Sequence, residues 1–386
     1  MLFSWLQPYY QQYLASLSQG RAPASIIIAG HPGLGGRHLA LEIARAFLCQ
    51  NRSPSGPCGH CVSCQSLSRY SSSDLKVAYC STAEEAGSDA DFTHDCSGLI
   101  VPPEAARSTR TMRIDTMRKV PQFINESAVG GVGKVVIIDG AEKMTTGAAN
   151  AILKTFEEPA PSTMIIMVAR SLEMLLPTIL SRASKVVIRD VPIEQAMEYL
   201  LNRENQRPPL IRRAFADPAE QEEKERTALE ACEGLKSPVT PERAAIALSL
   251  SSLAPLEAMK MLLSGEDIKA INVVRTLVDG IHRGDPYDVE LIDGLNKLSR
   301  TMQITLLSEL VLEVLKYKAW VPVEQLPLIL HGNAQILERL QGDHLFEAAD
   351  LLRHLQDRPN IIPHRAPHAL VRSWLQAFKK DFRARR

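Results

Sequence analysis

Residues 25–37 join an uncharged run, Ser25-Ile26-Ile27-Ile28-Ala29, to a glycine-rich stretch, Gly30-His31-Pro32-Gly33-Leu34-Gly35-Gly36-Arg37. Directly after it, Leu39, Ile43 and Phe47 recur every fourth residue. A short apolar run without alternation predicts a strand buried on both faces, and the period of four predicts a helix with one packed face. A strand that turns through glycines into a helix cannot pair with a neighbour by a hairpin. It needs a crossover, and so belongs to a parallel sheet covered by helices.

The same alternation continues. Lys134-Val135-Val136-Ile137-Ile138-Asp139 is the clearest buried strand, with others at Leu75–Tyr79, Thr163–Val168 and Lys185–Ile188. Helices are expected at Arg113–Val120 and at Ala148–Glu158 (stopped by Pro159), and a helix or turn entered by Pro177 at Leu175–Ser184. Residues 1–24 predict a helix ending at Gly20, and 82–110, polar and acidic, predict mostly loop. After Pro192 the strand patterns stop. Ile193–Asn202 and Pro241–Leu263 read as helical, separated by a charged stretch, Arg203–Pro238, whose run Glu220–Arg226 predicts a solvated helix face or loop. From Asp267 onward the pattern is helical, and Leu307, Leu310, Val311, Val314 and Leu315 form one apolar face suited to core packing. The expected organisation is an α/β domain at 1–190, a small helical domain at 191–265 carrying the charged insertion 203–238, and an all-helical domain at 266–386.

Gly30 to Arg37 occupies the place of a G-x-x-x-x-G-K-[ST] phosphate loop, whose backbone N–H groups cradle phosphate oxygens. Gly30, Gly33 and Gly35 suit that cradle. Gly36 stands where a lysine would reach the β- and γ-phosphates, and Arg37 where a Ser or Thr would hold magnesium. Asp139 ends a strand of the Walker B type, which also serves the magnesium ion, and is followed by Gly140 instead of a water-polarising Glu. Two separate motifs are thus altered together, which argues against hydrolysis. The remaining amides and Arg37 leave weak nucleotide binding open.

Cys49, Cys58, Cys61 and Cys64 follow a C-x8-C-x2-C-x2-C spacing, which lets four thiolates converge on one tetrahedral ion. An iron–sulfur cluster is the rival, but the ferredoxin continuation C-x3-C-P is absent, since Cys64 is followed by Gln65-Ser66-Leu67. A structural zinc is the expectation, stapling an insertion at 49–64 onto the preceding helix. Cys80, Cys96 and Cys232 lack partners at metal spacing, and an odd total of seven argues for a reducing compartment, the cytoplasm.

Lys plus Arg and Asp plus Glu are both 44, so the chain carries no excess charge with which to coat nucleic acid, and aromatics at 5% leave little for base stacking. That counts against a zinc-dependent nucleic-acid-binding module. The basic end, Lys379-Lys380 with Arg383 to Arg386, is read as a solvated helix terminus. No apolar run is long enough to span a bilayer.

Longer strings point further. Gly20-Arg21-Ala22-Pro23, the cysteine quartet, Arg113 to Arg118, Ala148-Ala149-Asn150-Ala151-Ile152-Leu153-Lys154-Thr155-Phe156-Glu157-Glu158-Pro159, and Leu175-Leu176-Pro177-Thr178-Ile179-Leu180-Ser181-Arg182 together resemble the bacterial clamp-loader family of AAA+ proteins, which serves DNA polymerase III. The resemblance covers roughly residues 5–190. It implies an α/β P-loop AAA+ module with an inserted zinc-binding knuckle, then a small helical lid and an all-α collar domain that oligomerises. It implies a hetero-pentameric ring with motor subunits, tau and gamma, and a delta subunit, loading a sliding clamp on primed DNA. Where the family carries Ser-Arg-Cys, this chain has Ser181-Arg182-Ala183, and the resemblance implies that Arg182 is an arginine finger inserted into a neighbour's ATP site. The altered phosphate loop implies a non-hydrolysing member. The alternative is an active tau/gamma-like motor that uses Arg37 as a substitute cation. Ser249–Leu263 has no sensor arginine, with Glu257 near that point, and Arg170 in the first sensor turn has no assigned role.

Overall fold

The computed structural model describes residues 2–81, 91–100, 111–189, 191–209, 218–282 and 289–321. Two compact units divide the chain, one formed by 1–195 with 209–227 and the other by 196–208 with 228–386.

In the first unit, α1 (Gln7–Ser18) leads into β1 (Ser25–Ala29), the glycine loop and α2 (Gly36–Leu48). The cysteine insertion ends in α3 (Val62–Ser68), followed by β2 (Leu75–Ala78), β3 (Phe92–Thr93) and α4 (Ile114–Ile124). Then come β4 (Lys134–Asp139), α5 (Thr146–Glu157), β5 (Thr163–Ala169), α6 (Pro177–Leu180) and β6 (Ser184–Val187). The sheet order is β3-β2-β4-β5-β1-β6. All pairings are parallel except β2 with β3. That two-residue antiparallel edge lies in a stretch expected to be loop, and it is too short to leave a pattern.

Every residue of β1, β4 and β5 is buried, as a sheet with both faces covered requires. Alternate side chains go to opposite faces. Ile27, Val136, Ile138, Ile165 and Met167 join Met117, Val120 and Phe123 of α4 and Ile152 and Phe156 of α5 in one core. On α2, Leu39 and Ile43 are buried as their spacing predicts, and Phe47 is half-buried. The fourth helix runs to Ile124, past the end expected at Val120, with Pro121 inside it. Burial of Phe123 and Ile124 offsets the hydrogen bond and the clash that an interior proline costs, about 3 kcal/mol.

Beyond the sheet, α7 (Ile193–Leu201) and α8 (Pro218–Glu230) follow. The latter is largely exposed and carries the Glu220–Lys224 ion pair, so the charged run is a solvated helix. The helical unit contains α9 (Pro241–Leu250), α10 (Pro255–Ser264), α11 (Glu266–His282), α12 (Val289–Asn296) and α13 (Arg300–Lys318). The stretch expected to be helical from 241 to 263 breaks at 251–254, where Ser252 and Leu253 take positive φ and Pro255 opens the next helix. Leu307, Leu310, Val311 and Val314 are buried, as their stripe predicts. Arg243 donates from Nε and Nη2 to Asp267, at 2.6 and 3.1 Å, and from Nη1 to the Ser237 and Pro238 carbonyls. Among the described residues no single helix is long and apolar enough to cross a membrane; α9 and α10 pass such a test only together, bent by 118°. The basic end at 379–386 lies outside the described residues.

Candidate functional sites: a degenerate phosphate loop, a cysteine knuckle and an exposed arginine

The carboxyl ends of β1, β4 and β5 lie side by side, where open α/β sheets bind ligands. Backbone bonds lock them together: Gly30 N–H to the Ala169 carbonyl at 3.1 Å and Gly140 N–H to the Val168 carbonyl at 3.0 Å. Gly33 lies in a tight turn, Pro32–Leu34, and Gly36 opens α2. The loop is braced from the amino terminus. The Trp5 indole N–H donates to the Leu34 carbonyl at 2.9 Å, and Phe3 stacks on Trp5. Gly35 is in the left-handed region at φ 90°, and a Cβ there would come within 3.0 Å of Leu6.

Arg37 does not reach along the loop. Its Nε donates to Asp139 Oδ1 at 2.7 Å, across 102 positions of sequence. Burial acts against the guanidinium's charge, but the Asp139 carboxylate outweighs it and holds the arginine's pKa above its ordinary value. The Cys80 thiol beside this pair is pushed up to about 11, by burial first and by the Asp139 charge second. One turn further, buried Glu142 pairs with Arg170 at 3.6 Å and accepts a hydrogen bond from its backbone N–H at 3.4 Å. Arg170, which sequence reasoning left without a role, is thus the counter-charge of an acid whose importance no local pattern signals. Gly140 sits at φ 84°. A Glu there would enter a backbone region that non-glycine residues avoid, and its Cβ would lie 3.3 Å from the Cys80 sulfur. The residues present therefore do not fit a magnesium nucleotide: position 36 has no cation, Asp139 is held by an arginine, and the backbone at 140 is set against an acid.

The cysteine quartet does fit its expected ion. The sulfurs of Cys49, Cys58, Cys61 and Cys64 all lie within 4.8 Å of one another, and no disulfide joins them. Four sulfurs about 2.3 Å from one tetrahedral zinc stand roughly 3.8 Å apart, and Cys58 and Cys64 are 4.0 Å apart. Cys49 caps the end of α2 and Cys61 caps the start of α3, so the site clamps one helix to the next. Backbone N–H groups already point at the sulfurs: Cys58 to Cys49 at 3.2 Å, Cys61 to Cys58 and Cys64 to Cys61 at 3.4 Å. Burial works against the Cys61 thiolate, yet these N–H donors and neighbouring thiols pull it down to about 6, while burial pushes Cys64 up to about 12. The cluster is capable of holding a structural zinc ion, with no open position for catalysis.

Arg182 follows α6, a third exposed, on the surface of the α/β unit. Its Nη1 donates to the Thr178 carbonyl at 2.7 Å and to Ser181 Oγ at 3.2 Å, and its Nη2 lies 2.5 Å from Glu157 Oε1, at the end of α5. Glu157 lies within the string that carries the resemblance, but spacing alone gives it no role. Glu257, in the expected sensor region, makes a surface pair with Lys260.

The fold and these sites define a class: an AAA+-like α/β module with a glycine-rich strand-to-helix loop and a four-cysteine knuckle. A model of the family described as DNA polymerase III, delta subunit, matches residues 6–192. The chain is similar to DNA polymerase III subunit delta' of Escherichia coli K12, 31% identical over 51% of this chain and 52% of that one. The corresponding subunit of Pseudomonas aeruginosa is 34% identical over 45% and 46%, and that of Yersinia pestis 25% identical over 85% and 82%. Over about half of its length the chain is thus similar to the delta-prime subunits of DNA polymerase III, AAA+ clamp-loader proteins. The matched region spans about half the length of the first of these relatives. A gamma subunit-related protein of Thermotoga maritima overlays 96% of this chain at 18% identity, with a TM-score of 0.42, too low to bear on the fold.

Proposed function

We propose that this chain is a non-hydrolysing subunit of the DNA polymerase III clamp loader and helps to place the sliding clamp on primed DNA. The observation that carries the reading is the Arg37–Asp139 pair: the acid that a motor would use for magnesium is neutralised within the chain. Its partners are the tau or gamma motor subunits and the delta subunit, in a hetero-pentameric ring. Residues 191–265 act as the lid and 266–386 as the collar through which the ring assembles. In this reading the chain has no ATPase activity of its own, but belongs to a DNA-directed DNA polymerase holoenzyme. Its contribution to chemistry is Arg182, presented to a neighbour's ATP, where a guanidinium stabilises the charge that develops on the transferred phosphoryl group. Cys49, Cys58, Cys61 and Cys64 hold zinc for structure. The test is ATP turnover by the purified chain alone. No turnover above background is expected, and a motor-like rate would eliminate the reading.

A further inference from the structure

In a phosphate-loop protein the residue after the lysine offers a hydroxyl to magnesium, and the strand acid holds the same ion from the other side. Here that residue is Arg37, and its guanidinium sits 2.7 Å from the strand acid. The Asp139 side chain is 9% exposed, so its charge needs a counter-ion within the protein. The neighbouring buried acid, Glu142, is likewise covered by Arg170. Asp139 and Glu142 are therefore each paired with an arginine of the same chain. A dication arriving at Asp139 would have to displace a bidentate-capable, permanently charged group, and would be repelled by it meanwhile.

The missing lysine does less to shape the site. A Cβ on Gly36 would meet its nearest neighbour, Ile28 Cγ2, at 3.4 Å, and then Val168 and Ile188 at 3.6 and 3.7 Å. The backbone at this position thus accepts a Cβ at ordinary contact distance, so glycine is not demanded there by close packing.

We infer that Arg37 is a built-in replacement for the magnesium ion, and that its pair with Asp139, more than the absent lysine, closes this site to magnesium nucleotides. The inference rests on reading residues 30–37 as a phosphate loop and on the pair itself. It does not rest on the finger role of Arg182, so its tests use the chain alone, and their failure would leave that role standing.

Removing the arginine should expose a demand for a divalent cation. Arg37→Met keeps much of the side-chain volume but strands the Asp139 charge. The variant is expected to melt several degrees lower than the wild-type chain, and to recover in millimolar Mg²⁺ or Mn²⁺ but not in NaCl of equal ionic strength. The wild-type melting temperature should not respond to either ion, and the Arg37→Met, Asp139→Asn double variant should lose the response. A wild-type response as large as that of Arg37→Met, or no response in Arg37→Met, would overturn the inference. A second variant guards against loss of folding: Gly36→Lys restores the lysine and leaves the pair intact. By titration calorimetry it is expected to bind ATP no more tightly in Mg²⁺ than in magnesium-free buffer. Magnesium-dependent binding with Arg37 still in place would equally refute it.

Discussion

At Gly140 the backbone has φ 84° and ψ 46°, and the residue stands where a hydrolysing relative would carry an acid. The main chain at this position is thus itself set against an acid. Gly140→Glu should not create an ATPase; it should lower stability by roughly 1–2 kcal/mol in a urea titration, the cost of an L-residue in the left-handed region. The sequence shows which groups are missing at 36 and 140, because each motif is local. It does not show where Arg37 points, since Asp139 lies on another strand, nor that Glu142 is buried opposite Arg170. The helical unit holds a comparable long-range pair, Arg243 with Asp267, the acid fully buried and both its oxygens engaged. Asp267→Ala strands a buried guanidinium and should cost about 3–5 kcal/mol in the same titration, whereas surface pairs such as Lys260–Glu257 should contribute little.

Among the elements, the cysteine knuckle was the most legible. Four ligands of one type at x2 spacing admit few alternatives, and the structure brings all four sulfurs together. The strands β1, β4 and β5 were legible for a related reason: a run buried on both faces has no polar residue to blur it. Elsewhere, tertiary packing overrode local signals. Pro121 should end α4, yet Phe123 and Ile124 carry the helix on into the core. The edge strand β3 exists only because β2 offers it a partner. The knuckle should contain one zinc per chain by elemental analysis, and none when Cys61 is replaced by Ser together with Cys64. Chelation should lower the melting temperature, because the ion ties the end of α2 to the start of α3. The parallel sheet should survive it, since its core lies apart from the four cysteines.

For the whole molecule, the proposed account is a division of labour. A module with the layout of a nucleotide-binding domain keeps its sheet, loop and helix while its own site is neutralised from within. Its surface carries an arginine anchored by Glu157 and the Thr178 carbonyl, which in the proposed account is offered to chemistry in a neighbouring chain. Composition argues against coating nucleic acid with the whole chain, because acidic and basic residues cancel. Assembly with other subunits was implied by the resemblance alone, carried most specifically by the long strings at 148–159 and 175–182, since an in-trans role leaves no trace within a single chain's packing. The most direct measurement is ATP turnover by the motor subunits reconstituted with wild-type chain or with Arg182→Ala, both shown to fold and to assemble equally. The account predicts a fall at the site this arginine serves of about 10³-fold, with substrate affinity changed far less. Equal turnover with the two chains would contradict it.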